Sequence, residues 1–439
     1  MKMKAYQIFL PLLTLSNFLT EAQQKVKLIT VDPGHFHAAL VQKTMYPEVD
    51  PTVHVYAEKG NDLQLHLDRI KGYNTRADQP TKWNQLVYKG NVVVLAGNNK
   101  LKTSYILNAV QNGFHVFADK PMVINNEGFE QLKKAFEISK QKKLQLYDIM
   151  TERYEITTML QRELSMDPSV FGSLEKGSPD NPSVTKESVH HFYKYVSGSV
   201  LTRPAWFFDV TQEGEGIVDV TTHLVDLIQW ECFPEKIIDY KKNIKILDAK
   251  SWNTLMTKDE FKLVTKEKEI PSYLQSNINN YGSLQVLCNG AFTYTINGVH
   301  AKVSVIWNYK APDGTGDTHY SLMRGTKSSL IIRQGKEENF KPTLYVEGPT
   351  DQVFEETLLA SIQKINQKFP GVSLKKNSKG WEIIIPDLYK ESHETHFARV
   401  TEKYLEYLRN NNMPSWEVPN MIAKYYTTTA ARALANKGK

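Results

Sequence analysis

One segment, residues 214–230, places a carboxylate and an imidazole one helical turn apart. Its apolar residues recur at helical spacing, and a helix here puts Asp219, His223 and Asp226 on one face. Two glycines at its start allow a close approach of the backbone, a common device where a helix begins beside a ligand. An imidazole held by a carboxylate can act as an oriented general base. The alternative is a buried Asp–His pair that ties down a core helix.

A lysine followed by a proline is the second candidate for chemistry. Lys120 comes just after a strand-like run, 113–118, and Pro121 keeps it out of a helix. An ammonium group at this position projects from the sheet edge into the crevice between domains, where it can lower the pKa of a substrate hydroxyl group. The alternative is an exposed lysine in a turn.

Helical patterns separate five strand-like runs in the first third of the chain. The runs are 26–31, 53–57, 91–96, 113–118 and 144–147. This alternation predicts parallel βαβ units, and hence a Rossmann-like, doubly wound α/β sheet over residues 25–150. Ligands of such sheets lie beyond the carboxyl ends of the strands. The polar residues that fall there are Asp32, Glu58, Asn98 and Lys120.

The pattern changes after residue 150. Helical stretches are followed by alternating strands between residues 283 and 333. This order predicts an α+β second domain with a mainly antiparallel sheet over residues 151–393. The last stretch, 394–439, has the pattern of two helices broken near Pro414, and we expect them to pack back on the body of the protein.

The N-terminus has the pattern of an export signal. Lys2 and Lys4 precede a short apolar run, and a small residue, Ala22, follows. We therefore expect cleavage of residues 1–22 and a periplasmic or secreted protein. No other stretch of the sequence is long and apolar enough to suggest a membrane span.

Composition sets further bounds. The 439 residues are 41% hydrophobic and 23% charged, as in an ordinary globular protein of two domains. The net charge of +6 is spread along the chain with Lys and Glu interleaved, so no nucleic-acid partner is indicated. The two cysteines, Cys232 and Cys288, are too few for a disulfide framework or a cysteine zinc site.

Together these pieces resemble the family of glucose–fructose oxidoreductase, inositol dehydrogenase and the rhizopine-catabolism proteins. The resemblance extends over about residues 25–330. The matching features, in the family's order, are the strand that leads to Asn98, then Asp119-Lys120-Pro121 in place of Glu-Lys-Pro, then the glycine-rich entry to Asp219 and His223. The resemblance implies two domains and a sugar substrate, with NAD or NADP taking the hydride. If the cofactor is present, we expect it to be tightly bound.

The resemblance also implies roles for three residues. Lys120 would position the substrate hydroxyl group as an acid/base, and His223 would be the main proton acceptor. Asp219 would orient the substrate and the imidazole. Such chemistry is consistent with oxidation of an alcohol, in which a cation stabilises the developing alkoxide and a base takes the proton. A homo-oligomer formed through the outer face of the C-terminal sheet is implied in the same way.

The first turn departs from the resemblance. The family has Gly-x-Gly-x-x-Gly where this chain has Val-Asp-Pro-Gly-His-Phe-His from residue 31, so only Gly34 remains. Asp32 brings a negative charge to the phosphates unless His35, His37 or another cation offsets it. Three explanations stay open: an altered cofactor pose, a cofactor held by the histidines, or loss of the dinucleotide. The residues expected at a cofactor are Asp32, Gly34, His35, His37, Glu58, Gly97, Asn98, Asp119 and Lys120, with Glu58 on the ribose.

Four residues are predicted to contact the substrate. They are Arg153, Trp206, Asp226 and His319. Arg153 could instead pair with Glu152, and the aromatic residues around Trp206 could simply be core. The adjacent His190 and His191 have no third ligand at metal spacing, so we expect no metal site.

The sequence therefore predicts an exported NAD(P)-dependent oxidoreductase that acts on a secondary hydroxyl group, or the ketone, of a carbohydrate. A redox-assisted glycosidase or lyase, which oxidises transiently and then eliminates, would use the same Lys120, Asp219 and His223. A third interpretation is a cofactor-free carbohydrate-binding protein on a degenerate Rossmann fold, which the altered turn at Asp32 favours.

Overall fold

A computed structural model describes residues 25–57, 60–85, 91–196, 199–312 and 315–437 of the protein. The predicted signal segment, 1–22, and Glu58 lie outside the described residues. Within these ranges no helix combines the length and the apolar character that a membrane crossing requires.

The first domain is built on a parallel sheet. Its strands are β1 (Leu28–Val31), β2 (Thr52–Tyr56), β3 (Asn84–Gln85), β4 (Val92–Leu95), β5 (His115–Asp119) and β6 (Leu146–Ile149). They lie in the order β3-β2-β1-β4-β5-β6, and every neighbouring pair of these described strands is parallel. This is the order of doubly wound nucleotide-binding sheets. The predicted Rossmann-like fold is confirmed.

Four helices lie between these strands in the part of the chain that the structure describes. They are α1 (His37–Leu40), α2 (Asn61–Thr75), α3 (Asn99–Gln111) and α4 (Asn126–Gln141). The central strand β4 is buried along its whole length, which explains its unbroken run of Val and Leu. The helix after β1 has only four residues, although this is where dinucleotide-binding folds begin a long helix.

The second domain is built on a nine-stranded sheet. Its order is β10-β11-β12-β7-β13-β14-β15-β17-β16, and among these described strands only β12 and β7 run parallel. The strands are β7 (Val184–Tyr193), β10 (Ile244–Met256), β11 (Leu284–Ile296), β12 (Val299–Lys310), β13 (Thr318–Arg324), β14 (Ser329–Arg333), β15 (Thr343–Glu347), β16 (Ser373–Asn377) and β17 (Gly380–Ile384), and β8 (Tyr195–Val196) and β9 (Ser199–Val200) pair as a separate two-stranded sheet. The mainly antiparallel sheet predicted from the sequence is confirmed.

Helices cover the second sheet and join it to the first. They are α5 (Ile156–Ser165), α6 (Thr221–Cys232), α7 (Tyr240–Asn243), α8 (Lys258–Thr265), α9 (Gln352–Ile365), α10 (His393–Asn410) and α11 (Glu417–Ala435). Helix α10 packs on the first sheet, where Tyr404 stacks on Phe117 at 4.4 Å between ring centroids and accepts a hydrogen bond from Gln145 through its carbonyl oxygen. The C-terminal helices thus pack against the first domain and complete its core.

Candidate active site

A cavity of about 490 Å³ lies where the two domains meet. The first domain contributes residues at the carboxyl ends of β1 and β5, and the second contributes the start of α6, residues along β7 and the first half of β13. The titratable side chains that border it include His35, His37, Asp119, Lys120, Glu152, His190, Lys194, Arg203, Asp219, His223, Asp317, His319 and His393. The cavity is therefore rich in imidazoles and paired charges, as suits a small polar ligand.

Lys120 and Asp219 form an ion pair across the domain boundary. Lys120 directly follows β5, and its Nζ lies 2.5 Å from Oδ1 of Asp219. Both side chains are largely buried. Burial lowers the pKa of Lys120, but the charges of Asp219 and Asp119 outweigh it and raise that pKa above its ordinary value. At neutral pH the lysine is a fixed positive charge, suited to stabilising a developing alkoxide.

His223 lies in the first turn of α6 and faces the cavity. Burial and the charge of Lys120 lower its pKa to about 4, against the opposing effect of Glu152. The imidazole is therefore neutral near pH 7, the form that can accept a proton. Its Nδ1 is buried without a hydrogen-bond partner among the residues that the structure describes.

The expected Asp219–His223 arrangement needs a correction. Among the described contacts, the carboxylate of Asp219 accepts a hydrogen bond from Lys120 and none from His223. Asp219 lies in a turn before α6, which begins at Thr221. That turn approaches the second sheet so closely that a β-carbon at Gly216 would collide with the carbonyl oxygen of Cys288. The glycine-rich segment thus sets the position of α6, and the carboxylate of Asp219 pairs with Lys120 instead of orienting His223.

Arg153 and Asp226 were predicted to contact the substrate, and the structure corrects this. Arg153 Nε donates to Asp226 Oδ2 at 2.7 Å, and Arg153 Nη1 donates to Glu417 at 3.0 Å. Lys424 joins the network at 2.8 Å from Asp226 and 2.7 Å from Asp148. Neither Arg153 nor Asp226 is among the described residues that border the cavity. They instead fix α6 against β6 and α11.

Trp206 and His319, the other two predicted substrate residues, do border the cavity. Glu152 borders it as well and was missed, although it follows β6 as Lys120 follows β5. Burial raises the pKa of Glu152, but the imidazoles of His319, His223 and others lower it to about 2. His393 reaches the cavity from α10, and no local pattern in the sequence indicates it.

The turn after β1 is closed upon itself. The amide of Gly34 donates to the carbonyl oxygen of Asp32 at 2.8 Å, and the amide of His35 donates to that of Ala96 at 3.2 Å. Pro33 has no amide hydrogen. A β-carbon at Gly97 would collide with the carbonyl oxygen of Asp32, so the loops after β1 and β4 touch. Residues 33–35 of this described turn leave no amide for a phosphate group.

Side chains complete this closure. The indole of Trp206 lies 3.3 Å from the place that a β-carbon of Gly34 would occupy, and it hydrogen-bonds Asp62. Burial, and next the charge of Asp32, raise the pKa of Asp62. Asn98 caps α3 at the amide of Lys100 and donates to Gln212 at 2.7 Å. Two carboxylates and an indole meet where a dinucleotide would place its pyrophosphate, so that group does not fit the turn as it stands.

The histidines of the turn face the other way, into the cavity. His37 Nδ1 lies 2.8 Å from Asp119 Oδ2, and His35 Nδ1 lies 3.9 Å from the same oxygen. Burial lowers the pKa of both imidazoles well below the ordinary value. His190 and His191, the adjacent pair in the sequence, share Asp317 at 3.1 and 3.2 Å. The cluster of His35, His37 and Asp119 was missed because Asp119 lies 82 residues from His37 in the sequence.

The fold and the site define a class, the two-domain oxidoreductases with a Rossmann-like first domain and an antiparallel second sheet. Residues 160–436 match the family model described as "Putative oxidoreductase C terminal domain". The chain is also similar to the crystal structure of a "putative oxidoreductase" from Parabacteroides merdae ATCC 43184, with 53% identity, 95% of this chain and 99% of that chain covered, and a TM-score of 0.92. The chain belongs to this family of oxidoreductases.

More distant structures share the fold. The protein GenD2 from gentamicin A biosynthesis, in complex with NAD, has 15% identity over 95% of each chain and a TM-score of 0.56. A "putative myo-inositol dehydrogenase" from Sinorhizobium meliloti 1021 has 11% identity, with 94% of this chain and 98% of that chain covered, and a TM-score of 0.52. A search of curated proteins gave no match. At the level of fold, the resemblance to the glucose–fructose oxidoreductase and inositol dehydrogenase type is confirmed.

Proposed function

We propose that the protein oxidises a secondary hydroxyl group of a small carbohydrate, or reduces the corresponding ketone, in the interdomain cavity. The observation that carries this proposal is that a permanently charged lysine and a neutral imidazole line the same cavity. Lys120 is held charged by Asp219, and His223 is held neutral by burial and by Lys120.

These residues divide the work at a carbinol. The ammonium group of Lys120 donates a hydrogen bond to the substrate oxygen and stabilises the negative charge that develops there. The neutral imidazole of His223 takes the hydroxyl proton in oxidation and returns it in reduction. Asp219 keeps the ammonium charged and fixed in direction. The indole of Trp206 and the polar side chains of His319 and Glu152 offer an amphipathic wall that suits a sugar ring.

The hydride requires an acceptor, and we propose NAD or NADP, tightly held. GenD2, which has the same fold, is described in complex with NAD. The closed turn at Gly34 does not suit the pyrophosphate, so the proposal requires that these phosphates bind elsewhere than on the amides of residues 33–35. No step of the proton chemistry above depends on that pose.

Nucleotide release tests this function directly. The purified protein is denatured and the supernatant assayed for NAD(H) and NADP(H), and a parallel titration follows nucleotide binding to the native protein. Roughly stoichiometric release, or a Kd on the order of micromolar, about −8 kcal/mol, supports the oxidoreductase. A sugar screen that follows NADH then finds the substrate. Sugar release without NADH accumulation would indicate the redox-assisted glycosidase.

One observation favours a second candidate, a cofactor-free carbohydrate-binding protein. The amides of Gly34 and His35 are tied to backbone carbonyls, and Trp206 packs over the turn. This candidate would be established, and the first overturned, by three results together. The protein releases and binds no nucleotide, it binds a sugar saturably, and it leaves that sugar unchanged.

We also propose that the protein is exported and that it self-associates. The basis for export is the leader pattern in residues 1–22. Cell fractionation, together with N-terminal sequencing of the mature protein, tests cleavage after Ala22. Light scattering of the mature protein tests self-association.

A further inference from the structure

The turn after β1 and the end of β5 are far apart in the sequence but lie side by side in the fold. The turn after β1 carries His35 and His37 within the stretch that aligns with the glycine-rich turn of the resembled family, and Asp119 stands where that family has Glu. Strands β1, β4 and β5 are neighbours, so the turn and the end of β5 lie at the same edge of the sheet. One nitrogen from each imidazole and one oxygen of Asp119 all lie within 4.8 Å of one another.

We infer that His35, His37 and Asp119 form a binding site for a divalent transition-metal ion of the Zn²⁺ class. Two imidazoles and one carboxylate are a donor set that such ions prefer, whereas Mg²⁺ and Ca²⁺ prefer oxygen ligands alone. Three protein ligands leave at least one position of a tetrahedral ion open, as in catalytic zinc sites. The open position would take water or an oxygen atom of a substrate.

The surrounding contacts favour side-chain ligation over phosphate binding. The amide of His35 is tied to the carbonyl oxygen of Ala96, so the turn presents imidazoles instead of amides. Lys102 donates to the backbone oxygen of Asp119 at 3.2 Å, a contact that does not use the carboxylate. His37 also packs on Phe397, with ring centroids 4.6 Å apart, which restricts its ring. The ring of His37 is therefore held in place.

The charges near this cluster can accommodate a cation. The nearest positive group of the mechanism, Lys120, is paired with Asp219 at 2.5 Å. Oδ2 of Asp119 lies 3.9 and 2.8 Å from Nδ1 of the two imidazoles, and the Asp119 side chain is only 6% exposed. A buried carboxylate next to two imidazoles gains from a divalent ion that all three can share. An ion held there would border the same cavity as His223 and Lys120.

This inference goes beyond the proposed function and does not depend on the hydride acceptor. The test uses tag-free full-length protein, treated with a chelator and then dialysed. Zn²⁺ binding is titrated by calorimetry, and Co²⁺ is added as a spectroscopic probe. The variants are His35→Asn, His37→Asn and Asp119→Asn. The matched control is His393→Asn, which removes another imidazole of the same cavity, whose ring centroid lies 5.7 Å from that of His37.

We expect one Zn²⁺ per wild-type chain. Each of the three ligand variants should bind at least about 100-fold more weakly, since loss of an outer partner alone costs 10–100-fold. His393→Asn should bind as the wild type does. The inference is overturned if the wild type binds no ion, if His35→Asn and Asp119→Asn bind normally, or if His393→Asn loses as much affinity as the ligand variants.

Two further readouts keep this test independent of folding and of activity. Far-ultraviolet circular dichroism checks each variant, and X-ray absorption of the wild-type Zn²⁺ complex requires no variant at all. Two imidazoles in the metal shell support the site, and fewer than two contradict it. Nucleotide release and Zn²⁺ binding are separate measurements, so either proposal can fail while the other stands.

Discussion

Asp219 and Asp119 keep the pKa of Lys120 above the ordinary value, so the side chain stays charged. In the proposed reaction this positive charge stabilises the substrate alkoxide. We therefore predict that Lys120→Met lowers kcat/KM about 10²–10³-fold, as removal of one preorganised donor to an oxyanion does. The loss is measured by steady-state kinetics on the substrate found in the sugar screen.

Two variants separate this effect from a structural one. Lys120→Met leaves Asp219 buried without its cation, whereas Lys120→Met/Asp219→Asn removes both charges. The double variant should stay as slow as the single one if the cation acts on the substrate. Recovery of activity in the double variant would show that the unpaired carboxylate caused the loss. The exposed Lys100, changed to Met, is the control for general effects.

The protonation of His223 sets the acid limb of the pH profile. Burial and the charge of Lys120 lower its pKa to about 4, below the value of about 6.5 in model peptides. The neutral base is therefore present above about pH 4, and kcat/KM should rise through that pH and then level off. In Lys120→Met the limb should move to higher pH, because one repelling charge is gone while burial remains. An acid limb that does not move between the two proteins would contradict this assignment.

Among the elements, α6 carries His223 and is anchored by buried charges on its other side. Burial raises the pKa of Asp226, but Arg153 and Lys424 lower it below its ordinary value. We predict that Asp226→Asn destabilises the protein by about 3 kcal/mol, at the low end for breaking a buried ion pair. Two buried cations lose the carboxylate that they share, but each keeps one other carboxylate, Glu417 or Asp148. The measurement is urea unfolding at pH 7, with the exposed Asp78→Asn as a control that should leave the unfolding midpoint unchanged.

The same anchor has a pH dependence with a definite sign. A carboxyl group with a lowered pKa in the folded state stabilises the protein above its unfolded pKa of about 3.9, and this stability is lost as the pH falls. Wild-type stability should therefore fall more steeply below about pH 5 than that of Asp226→Asn. Parallel curves for the two proteins would show that Asp226 is not linked to folding in this way.

Strands were the elements that the sequence predicted best. The apolar runs at 91–96 and 144–147 correspond to β4 at Val92–Leu95 and β6 at Leu146–Ile149. Buried parallel strands require continuous β-branched and apolar residues, and Gly, Asn or Asp mark their ends. Strand β3 has only two residues, Asn84–Gln85, and such a short polar pair has no periodicity to recognise.

Site residues were predictable where a local rule placed them. Lys120 was found because it follows a parallel strand. The contact of Asp226 with Lys424 was not predicted, because Lys424 lies 198 residues away on α11 and no spacing rule connects the two residues. For the same reason the contact of His37 with Asp119 appears only in three dimensions. Local periodicity therefore finds the elements, and long-range pairing decides which charges reach the cavity.

At the scale of the whole molecule, α11 belongs to the cores of both domains. Met421 and Tyr425 pack in the hydrophobic core of the first domain, and Ala423 and Ala431 pack in that of the second. Tyr425 Oη also donates to Asp148 Oδ2 at 2.8 Å, at the end of the first sheet. A helix shared in this way couples the two domains, because neither core is complete without it.

This coupling predicts that the two domains unfold in a single cooperative transition. Differential scanning calorimetry should show one peak, with the calorimetric enthalpy equal to the van 't Hoff enthalpy. Tyr425→Phe removes a hydrogen bond to a buried carboxylate, at a cost of roughly 1.5–3 kcal/mol, so it should lower Tm while the peak stays single. Tyr281→Phe, at a side chain that is 93% exposed, is the matched control and should leave Tm unchanged. Two resolved peaks in the wild type, or a Tyr425→Phe peak that splits, would show that α11 does not join the domains into one folding unit.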